Sequence, residues 1–300
     1  MTNRVVPWSN LGRDVSNCST IEEVLTTANL NWNVEGRLIY DANGDVIPGY
    51  IANTRDTDNE VLGIVSPKYE IVQNLEAFNF IDNLTKEGLT FEMAGTGRHG
   101  KQIWILAKLP EDRQILGDDF NSYVVFTNAH DGTGAVKVCM TPIRVFCSNC
   151  LNLAFKNADR IWSARHSLQI GTKIQEAKTS LLMADKYMNE LAIQADILAN
   201  TKVNDSDIIP LLSRVSNVDL NNMTARRSVN FYDDVDRFMQ CYNMPDINQF
   251  KGTAWGLINA ATDYIDHTAP RRVTSNYAQN NWERIITGHP FIDATYREVA

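Results

Sequence analysis

Long hydrophobic runs are missing from the chain. The longest apolar stretches are only a few residues, and the first twenty residues, MTNRVVPWSNLGRDVSNCST, contain polar groups throughout. A membrane-spanning helix needs about 20 largely apolar residues, and a signal peptide needs a shorter apolar segment near the N-terminus. The sequence therefore predicts a cytoplasmic protein with no membrane partner.

Cysteine is also scarce. The five cysteines, an odd number at irregular positions in 300 residues, exclude a disulfide framework and suit a reducing compartment. Cys147 and Cys150 have the spacing of metal and redox centres, but no second pair supplies the other two ligands of structural zinc. We interpret the pair as buried thiols where a strand turns into a helix near Asn149, with metal and redox roles as the weaker alternatives. No metal and no cofactor is expected.

Positive charge is in deficit overall but not locally. The formal net charge is −8, which argues against indiscriminate coating of nucleic acid. Between residues 132 and 178, however, seven basic residues face two acidic ones, so the rest of the chain carries −13. A basic segment within an acidic protein fits either a solvated face or a groove that contacts phosphate.

Motifs for nucleophilic and nucleotide chemistry are absent or incomplete. No Gly-x-Ser-x-Gly elbow occurs. The stretch GTGRHGK, residues 95 to 101, satisfies two glycine-loop patterns, but both cradle phosphate only when a helix follows. Here the strand-like QIWILAKLP follows, and Gln102 replaces the magnesium-binding Ser or Thr. We expect a hairpin tip, or alternatively a loop whose Arg98, His99 and Lys101 contact a nucleic-acid backbone.

The first 60 residues are predicted to form a helix and a hairpin. STIEEVLTTANL (19 to 30) has a capping residue and two glutamates in its first turn, which favours a helix. In GRLIYDANGDVIPGYI, two β-rich runs flank Asn43-Gly44, the dipeptide typical of a tight hairpin turn. A polar loop at 54 to 60 separates this region from the next.

Residues 61 to 168 are predicted to form an α+β core. VLGIVSPKYEIV indicates two short strands broken at Ser66-Pro67, and QNLEAFNFIDNLTKEG has the apolar spacing of one helix. Four further strands follow: LTFEMA, KQIWILAKLP, SYVVFTNAH and GAVKVCMTPIRV. Because these strands follow one another with turn chemistry between them, the fold class is α+β, an antiparallel β-meander with a packed helix.

Residues 169 to 300 are predicted to form a helical bundle with one long helix. Apolar residues alternate steps of three and four at Ile174, Ala177, Leu181, Ala184, Met188, Leu191, Ala195 and Leu198. This seam favours intramolecular packing, because the flanking positions lack the charged pairs of a dimeric zipper; self-association is the alternative. Shorter helices are expected at 206–216, 223–242, 253–267 and 276–287.

Two sets of residues are candidates for chemistry. RIWSARH, residues 160 to 166, interleaves basic and aromatic side chains in a way that can stack bases and neutralise phosphates. The alternative interpretation is that Trp162 packs on the core and Arg165 forms a salt bridge. A nuclease site would need carboxylates brought together by the fold, and the candidates for it are Asp118, Asp119, His130 and Asp131.

Several separated blocks carry a family resemblance. They are LGIVSPKYEIVQNLEAFNFID, FTNAHDGTGAVKVCMTPIRVFCSNCLNLA, WSARHS and GTAWGLINAATDYIDH. In this order they resemble the phage/plasmid-like proteins, the domain of unknown function 932 family, from about Leu11 to about Gly288. Cys150 departs from the threonine usual there, which further weakens a metal or redox role for the cysteine pair. The resemblance implies an origin in bacteriophages or mobile elements and a host-cell cytoplasmic setting.

A looser, fold-level similarity is to phage single-strand annealing proteins of the RecT and Red-beta type. Those proteins are non-enzymatic oligomers that hold a strand in a basic groove, so the similarity implies a homo-oligomer active in recombination or replication. The leading hypothesis is a protein that binds single-stranded DNA, with strand annealing as a further expectation. Its candidate contacts are Arg98, Lys101, Lys137, Arg144, Arg160, Trp162, Arg165 and His166. The alternatives are a protein-interaction module acting through the acidic helical half, as a host-takeover or anti-defence factor, and the metal-dependent nuclease.

Overall fold

The computed structural model describes residues 11–144, 149–153, 155, 158–167, 169–176, 180–268, 270–275 and 277–300. Its strands are β1 (Arg13–Asp14), β2 (Val34–Tyr40), β3 (Val46–Arg55), β4 (Val61–Val65), β5 (Thr90–Gly97), β6 (Gln102–Lys108), β7 (Arg113–Ile115), β8 (Asp118–Ala129), β9 (Val136–Arg144), β10 (Asn149–Cys150) and β11 (Ile161–Ala164). Its α-helices are α1 (Ile21–Thr27), α2 (Asn74–Phe78), α3 (Ile81–Thr85), α4 (Ile170–Glu176), α5 (Ser180–Asn200), α6 (Asp205–Val215), α7 (Ala225–Tyr242), α8 (Ala254–His267), α9 (Tyr277–Thr287) and α10 (Pro290–Val299). The predicted α+β class, with a C-terminal helical region, is confirmed.

The larger sheet is antiparallel and has eight strands. Its order is β1-β5-β6-β8-β9-β10, with β7 also paired to β8 and β11 also paired to β9. Strands β5, β6, β8 and β9 are the predicted meander. The prediction missed the short strands β1, β7, β10 and β11, which have only two to four residues each and so show almost no alternation in the sequence.

The smaller sheet contains the predicted hairpin. Strands β2, β3 and β4 pair in that order, and Gly44 in the turn has the positive φ of 88° that this dipeptide was expected to supply. The sheet packs closely on the β8–β9 connection, since a Cβ on Gly63 would lie 2.5 Å from Asp131 Cα. The second strand predicted after Pro67 is wrong. That segment is held by side chains instead, with Tyr69 donating to Ala129 O at 2.9 Å.

The helix predicted over residues 73 to 88 is broken into α2 and α3. Phe78, Phe80 and Ile81 are all buried. Residues two apart lie about 200° apart around an ideal helix, so one continuous helix would turn Phe80 away from a core that holds Phe78. The break at Asn79 and Phe80 lets all three side chains enter the core.

Residues from all three predicted regions share one hydrophobic core. It lies on the inner face of the larger sheet and includes Trp32 before β2, Phe126 on β8, Leu191 on α5 and Trp255 on α8. The opposite face of the sheet is covered by α9, whose Trp282 meets Trp104 of β6 edge to face at 5.1 Å. Both faces of the sheet are therefore packed.

The long helix α5 is confirmed, and its described seam residues point into the molecule. Ala184, Met188, Leu191, Ala195 and Leu198 are buried in the shared core, where α5 packs on α8 and β9. This confirms the intramolecular interpretation of the seam for those positions. Ala177 and the Leu181 side chain lie outside the described residues.

The shorter helices begin and end within two residues of their predicted bounds. A second apolar cluster joins α6, α7 and α8. Helix α10 was missed, although Pro290 at its first turn and the capping side chain of His289 are recognisable start features. Among the described residues, no helix is both long and apolar enough to span a bilayer.

Candidate nucleic-acid interface at one end of the sheet

The register of the larger sheet gathers several predicted cations at one end. Gln102 at the start of β6 pairs with Ala129 at the end of β8, and Lys137 at the start of β9 pairs with both Thr127 and Ser163. Lys101 immediately precedes β6, and Arg165 immediately follows β11. We call residues 97–101, 129–137 and 164–166 the sheet end. Its strands β6, β8, β9 and β11 span roughly 15 Å, three interstrand spacings.

The β5–β6 connection is the expected hairpin tip, and it is held by ion pairs. Arg98 and His99 have φ values of 50° and 59°, which few non-glycine residues adopt. Arg98 donates to Thr133 Oγ1 at 2.7 Å and to Asp131 Oδ2 at 3.3 Å, and it also pairs with Glu283 of α9. Arg98 therefore joins the hairpin tip, the β8–β9 connection and the helix on the far face.

Asp131 is the acidic partner within this arrangement. Burial opposes its ionisation, but hydrogen bonds from Thr133 together with the Arg98 guanidinium outweigh that effect and hold the pKa of Asp131 below its ordinary value. The carboxylate is thus charged at neutral pH and neutralises part of Arg98. The backbone of this connection is fixed as well, since Thr133 N donates to Asp131 Oδ1 at 2.8 Å.

Three other cations at the sheet end are available to solvent. Lys101 and Lys137 are half-buried and Arg165 is exposed. Within the described residues, none of the three takes part in an ion pair. With Arg98 they make four positive charges, against which Asp131 and Glu283 supply two negative ones.

The other predicted contact residues lie elsewhere or face inward. Arg160 is 8% exposed and donates to Met140 O at 2.9 Å, so its guanidinium is committed to the interior. Trp162, on β11, packs against the shared core, as its structural alternative proposed. The backbone of Arg144 ends β9 at the opposite end of the sheet, and its side chain lies outside the described residues.

His166 belongs to the sheet end but faces inward. It is 8% exposed, its ring stacks on Tyr69 at 4.7 Å, and Nδ1 lies 3.1 Å from Glu70 O. Burial lowers the pKa of His166, so the ring is neutral at pH 7 and does not add to the positive charge. Of the basic side chains in RIWSARH, Arg165 is therefore the one that faces solvent.

A buried amide and imidazole cluster supports the sheet end from beneath. His130 is fully buried, and its Nε2 lies 2.8 Å from Asn74 Oδ1. Asn74 Nδ2 donates to Leu30 O, so the amide oxygen faces the ring and places the imidazole proton on Nε2. Asn53 Nδ2 donates to His130 O at 2.9 Å. Asn128, also buried, donates to Val72 O at 3.0 Å.

Sequence reasoning missed the structural role of this cluster. The recognisable feature is the run of polar residues Asn128, His130 and Asp131 at the end of an otherwise apolar strand. Burial, reinforced by neighbouring His166, lowers the pKa of His130 to about 3. A neutral, internally bonded imidazole positions the β8–β9 connection and is poorly suited to general acid or base work at pH 7.

The four proposed nuclease residues are not brought together. Asp118 and Asp119 begin β8, whereas His130 and Asp131 follow its other end. Eleven residue steps along a strand correspond to roughly 35 Å. Within the described residues, no group of three or more His, Cys, Asp and Glu side chains has the geometry to hold a metal ion.

The cysteine pair is not placed at a strand-to-helix junction. Asn149 and Cys150 form β10, paired with β9, so the predicted helix start at Asn149 is wrong. The side chains at both positions, and all of Cys147, lie outside the described residues. Because the Asn149 backbone pairs with β9 in the sheet, Asn149 does not cap a helix.

A comparison with protein families matches residues 61–285 to the family described as Domain of unknown function (DUF932). The chain belongs to the DUF932 family. The matched segment covers three quarters of the 300 residues and includes the whole sheet end, but it begins later than the start near Leu11 that the sequence resemblance suggested. No curated protein and no solved structure matches the chain. For this DUF932 protein the family therefore carries no activity over, and function is argued from the site.

Proposed function

We propose that this DUF932 protein binds single-stranded DNA at the sheet end. The observation that carries the proposal is the strand register, which brings Lys101, Lys137 and Arg165, near the ends of β6, β9 and β11, to the same end of the sheet within about 15 Å. Cations grouped at this spacing can meet the repeating negative charge of a phosphate backbone. On binding, Arg98 would exchange its carboxylate partners for phosphate. We expect the affinity to be independent of base sequence, because the proposed contacts are made to phosphates and not to base edges.

Fluorescence anisotropy with a labelled oligothymidylate tests this proposal. The affinity should fall as salt rises, with a log–log slope of about −2 to −3 for three to four neutralised phosphates on a single strand. Neutralising Lys101→Gln, Lys137→Gln or Arg165→Gln should each reduce that slope by about 0.7. The triple variant should bind only at the lowest salt.

Arg226→Gln is the matched control, because Arg226 is an exposed arginine on α7, remote in sequence from the sheet end. It removes the same charge and should leave both affinity and slope unchanged. A wild-type affinity that does not respond to salt, or a triple variant that binds like wild type, contradicts the proposal. Duplex competitor separates strand preference from general affinity for polyanions.

The annealing and oligomerisation parts of the proposal are tested separately. If the protein promotes annealing, two complementary labelled strands should pair faster in its presence, and the triple variant should lose this effect. If copies of the chain assemble into a ring or filament, their sheet ends would join into one longer DNA-binding groove. Light scattering with size-exclusion chromatography measures the mass with and without oligonucleotide, and a monomer in both conditions contradicts the oligomer.

A second candidate, the protein-interaction module, is supported by apolar residues exposed in the helical region. Ile193 and Ile197, four residues apart on α5, are 56% and 50% exposed and lie on one helix face. A partner recovered with wild type but not with Ile193→Asp/Ile197→Asp, in a protein that does not shift an oligonucleotide, would favour this function over DNA binding.

A further inference from the structure

The smaller sheet, β2–β4, has a group of exposed apolar side chains. Leu38 and Tyr40 on β2 are both 57% exposed, and Tyr40 lies directly opposite Val46, also exposed, on β3. The other large apolar side chains exposed on this sheet are Tyr50, Val61 and Ile64. Single exposed apolar residues are common, but a group of them on one small sheet indicates a surface that meets another molecule.

Strand β2 is also an edge strand, and its outward main chain beyond Val34 is unbonded. The Gln73 side chain bonds both Val34 N and Val34 O at 2.9 Å, so these two groups point away from β3. Main-chain groups alternate sides along a strand, so those of Gly36, Leu38 and Tyr40 point the same way as those of Val34. Within the described residues, nothing bonds these three residues on that side. Three N–H and three C=O groups are therefore available to another strand.

The irregular pairing of the hairpin leaves this alternation intact. Two residue steps along β2, from Leu38 to Tyr40, match five steps along β3, so the extra residues belong to β3. Asp41 N, the next main-chain group of β2, donates to Asp45 O on the other side of the hairpin. The main chain of Tyr40 therefore faces outward, like that of Leu38.

The charge of the hairpin excludes nucleic acid as the natural occupant of this edge. Residues 34–50 contain Glu35, Asp41 and Asp45 against Arg37, a net charge of −2. A protein strand can instead use the free main-chain groups. We propose that the occupant is β2 of a second copy of this chain, paired antiparallel about Leu38, so that the two smaller sheets join into one. This interface specifies the surface for the oligomer of the proposed function, and it does not depend on DNA binding.

An identical strand complements this edge when the pairing is centred on Leu38. Gly36 of each copy then pairs with Tyr40 of the other, and the outward groups of all three residues are used. The Tyr40 ring lies over Gly36 of the other copy, close to Ile71, whose Cδ1 is 3.6 Å from the position of a Gly36 Cβ. An aromatic ring across a strand from glycine is a favourable pair. A pairing centred on Arg37 would place two like charges opposite each other.

The size of the interface fits a weak, reversible dimer. Tyr40 exposes roughly 100 Å², about half of the surface of an aromatic side chain. Together with Leu38 and the main chain of residues 36–40, this is less than the roughly 800 Å² per partner of a standard interface. Small interfaces associate weakly, so we expect a dissociation constant in the micromolar range. Because a two-fold pairing closes on itself, the expected species is a dimer.

Sedimentation velocity of the full chain, at roughly 1 to 100 μM, measures the self-association. Wild type should change from monomer to dimer across this range. Leu38→Asp should stay monomeric, because the two new carboxylates face each other at the centre of the pairing. Ile64→Asp is the matched control: it places the same charge at a residue of similar exposure on β4, two strands away, and should dimerise like wild type.

Oxidative cross-linking tests the register. Directly opposite residues of a hydrogen-bonded pair have Cα atoms about 5.5 Å apart, which a disulfide can bridge, so Leu38→Cys should form a covalent dimer. Tyr50→Cys is equally exposed but lies on β3, where the two copies are three interstrand spacings, roughly 14 Å, apart, and it should not cross-link. Wild type, whose Cys18 is partly exposed, gives the background.

Three results overturn the proposal: a wild type that stays monomeric at every concentration, a Leu38→Asp variant that dimerises like wild type, or equal cross-linking of the two cysteine variants. A monomeric wild type would leave the edge to a strand of a different protein. Anisotropy with oligothymidylate tests the sheet end independently, because Lys101, Lys137 and Arg165 are unchanged in all of these variants. A monomeric wild type that still binds DNA therefore overturns the dimer alone.

Discussion

At the scale of single residues, His130 shows how a titratable side chain can serve structure. Its ring is sealed between Asn74 and the edge of Trp32, whose ring centre is 5.4 Å away. The Asn53 side chain donates a hydrogen bond to the His130 carbonyl oxygen, which fixes the start of the β8–β9 connection. Because Asp131 and Arg98 are placed by that connection, a neutral histidine in the interior determines where the charged groups at the surface lie.

The histidine predicts a loss of stability in mild acid. The pKa of His130 is about 3 in the folded protein, against an ordinary value of 6.5. Between these values the unfolded chain binds a proton that the folded chain excludes, so stability rises with pH across this window and falls as pH drops below 6.5. Lowering the pH from 7 to 5 should cost about 2 kcal/mol through His130 alone.

The measurement is chemical denaturation at pH 7 and pH 5 for wild type and His130→Gln. The variant is expected to be less stable at pH 7, but its loss between the two pH values should be about 2 kcal/mol smaller than that of wild type. Burial also lowers the pKa of His166 and lowers that of His289 to about 4, so a residual pH dependence of the same sign should remain. An identical pH dependence in both proteins would show that His130 does not titrate on unfolding.

At the scale of elements, α9 is the cover on the outer face of the larger sheet. One contact is apolar, Trp282 against Trp104, and one is ionic, Glu283 with Arg98. The ionic contact reaches the sheet end, so the position of α9 and the charge available on Arg98 are coupled. A carboxylate on Arg98 occupies the place that the proposed function gives to phosphate.

Glu283→Gln should loosen α9 without unfolding the protein. The partners are about one-third exposed, so the pair is expected to contribute on the order of 1 kcal/mol, and Arg98 keeps its contact with Asp131. Amide hydrogen exchange within residues 277–287 should become about fivefold faster. Glu298→Gln removes a surface pair with Arg214 on other helices and should leave that exchange unchanged. Equal exchange in all three proteins would mean that Trp282 alone holds α9.

At the scale of the whole molecule, the DUF932 segment and the described residues before it form one core. Trp32 and Val34 are buried with residues of the larger sheet and of α5. The Gln73 side chain bonds both backbone groups of Val34 at 2.9 Å. The family match begins at residue 61, but the hydrophobic core does not.

Deleting residues 1–60 should therefore prevent cooperative folding, even though the deleted part lies outside the family match. The deletion exposes the core under α2, and it removes the acceptors of the buried Asn74 Nδ2 and both Val34 partners of the half-buried Gln73 amide, which is costly. Near-UV circular dichroism and thermal unfolding should show no cooperative transition. Trp32→Ala in the full chain is the graded comparison and should cost about 3–5 kcal/mol while keeping a single transition. A deleted chain that melts cooperatively would show that residues 61–300 fold independently.

Particular residues show which features were predictable from the sequence. Asn43-Gly44 marked its hairpin, because the dipeptide's own backbone preferences determine the turn. The seam of α5 marked a long helix, because its spacing repeats over many turns. The break between Phe78 and Phe80 was not predictable from spacing, because it depends on a core contributed by distant strands. The cationic row was likewise only suggested, because the sequence does not give the strand register that aligns Lys101, Lys137 and Arg165.

The sequence by itself determined the class of fold, the positions of its long elements and the presence of a basic segment in an acidic chain. These properties depend on local backbone preference, apolar periodicity and composition, all of which act over neighbouring residues. Only the tertiary structure decided which cations lie together and that Arg160 and His166 face inward. Those outcomes depend on strand pairing and on packing between residues far apart in the chain, where burial changes what each side chain can do.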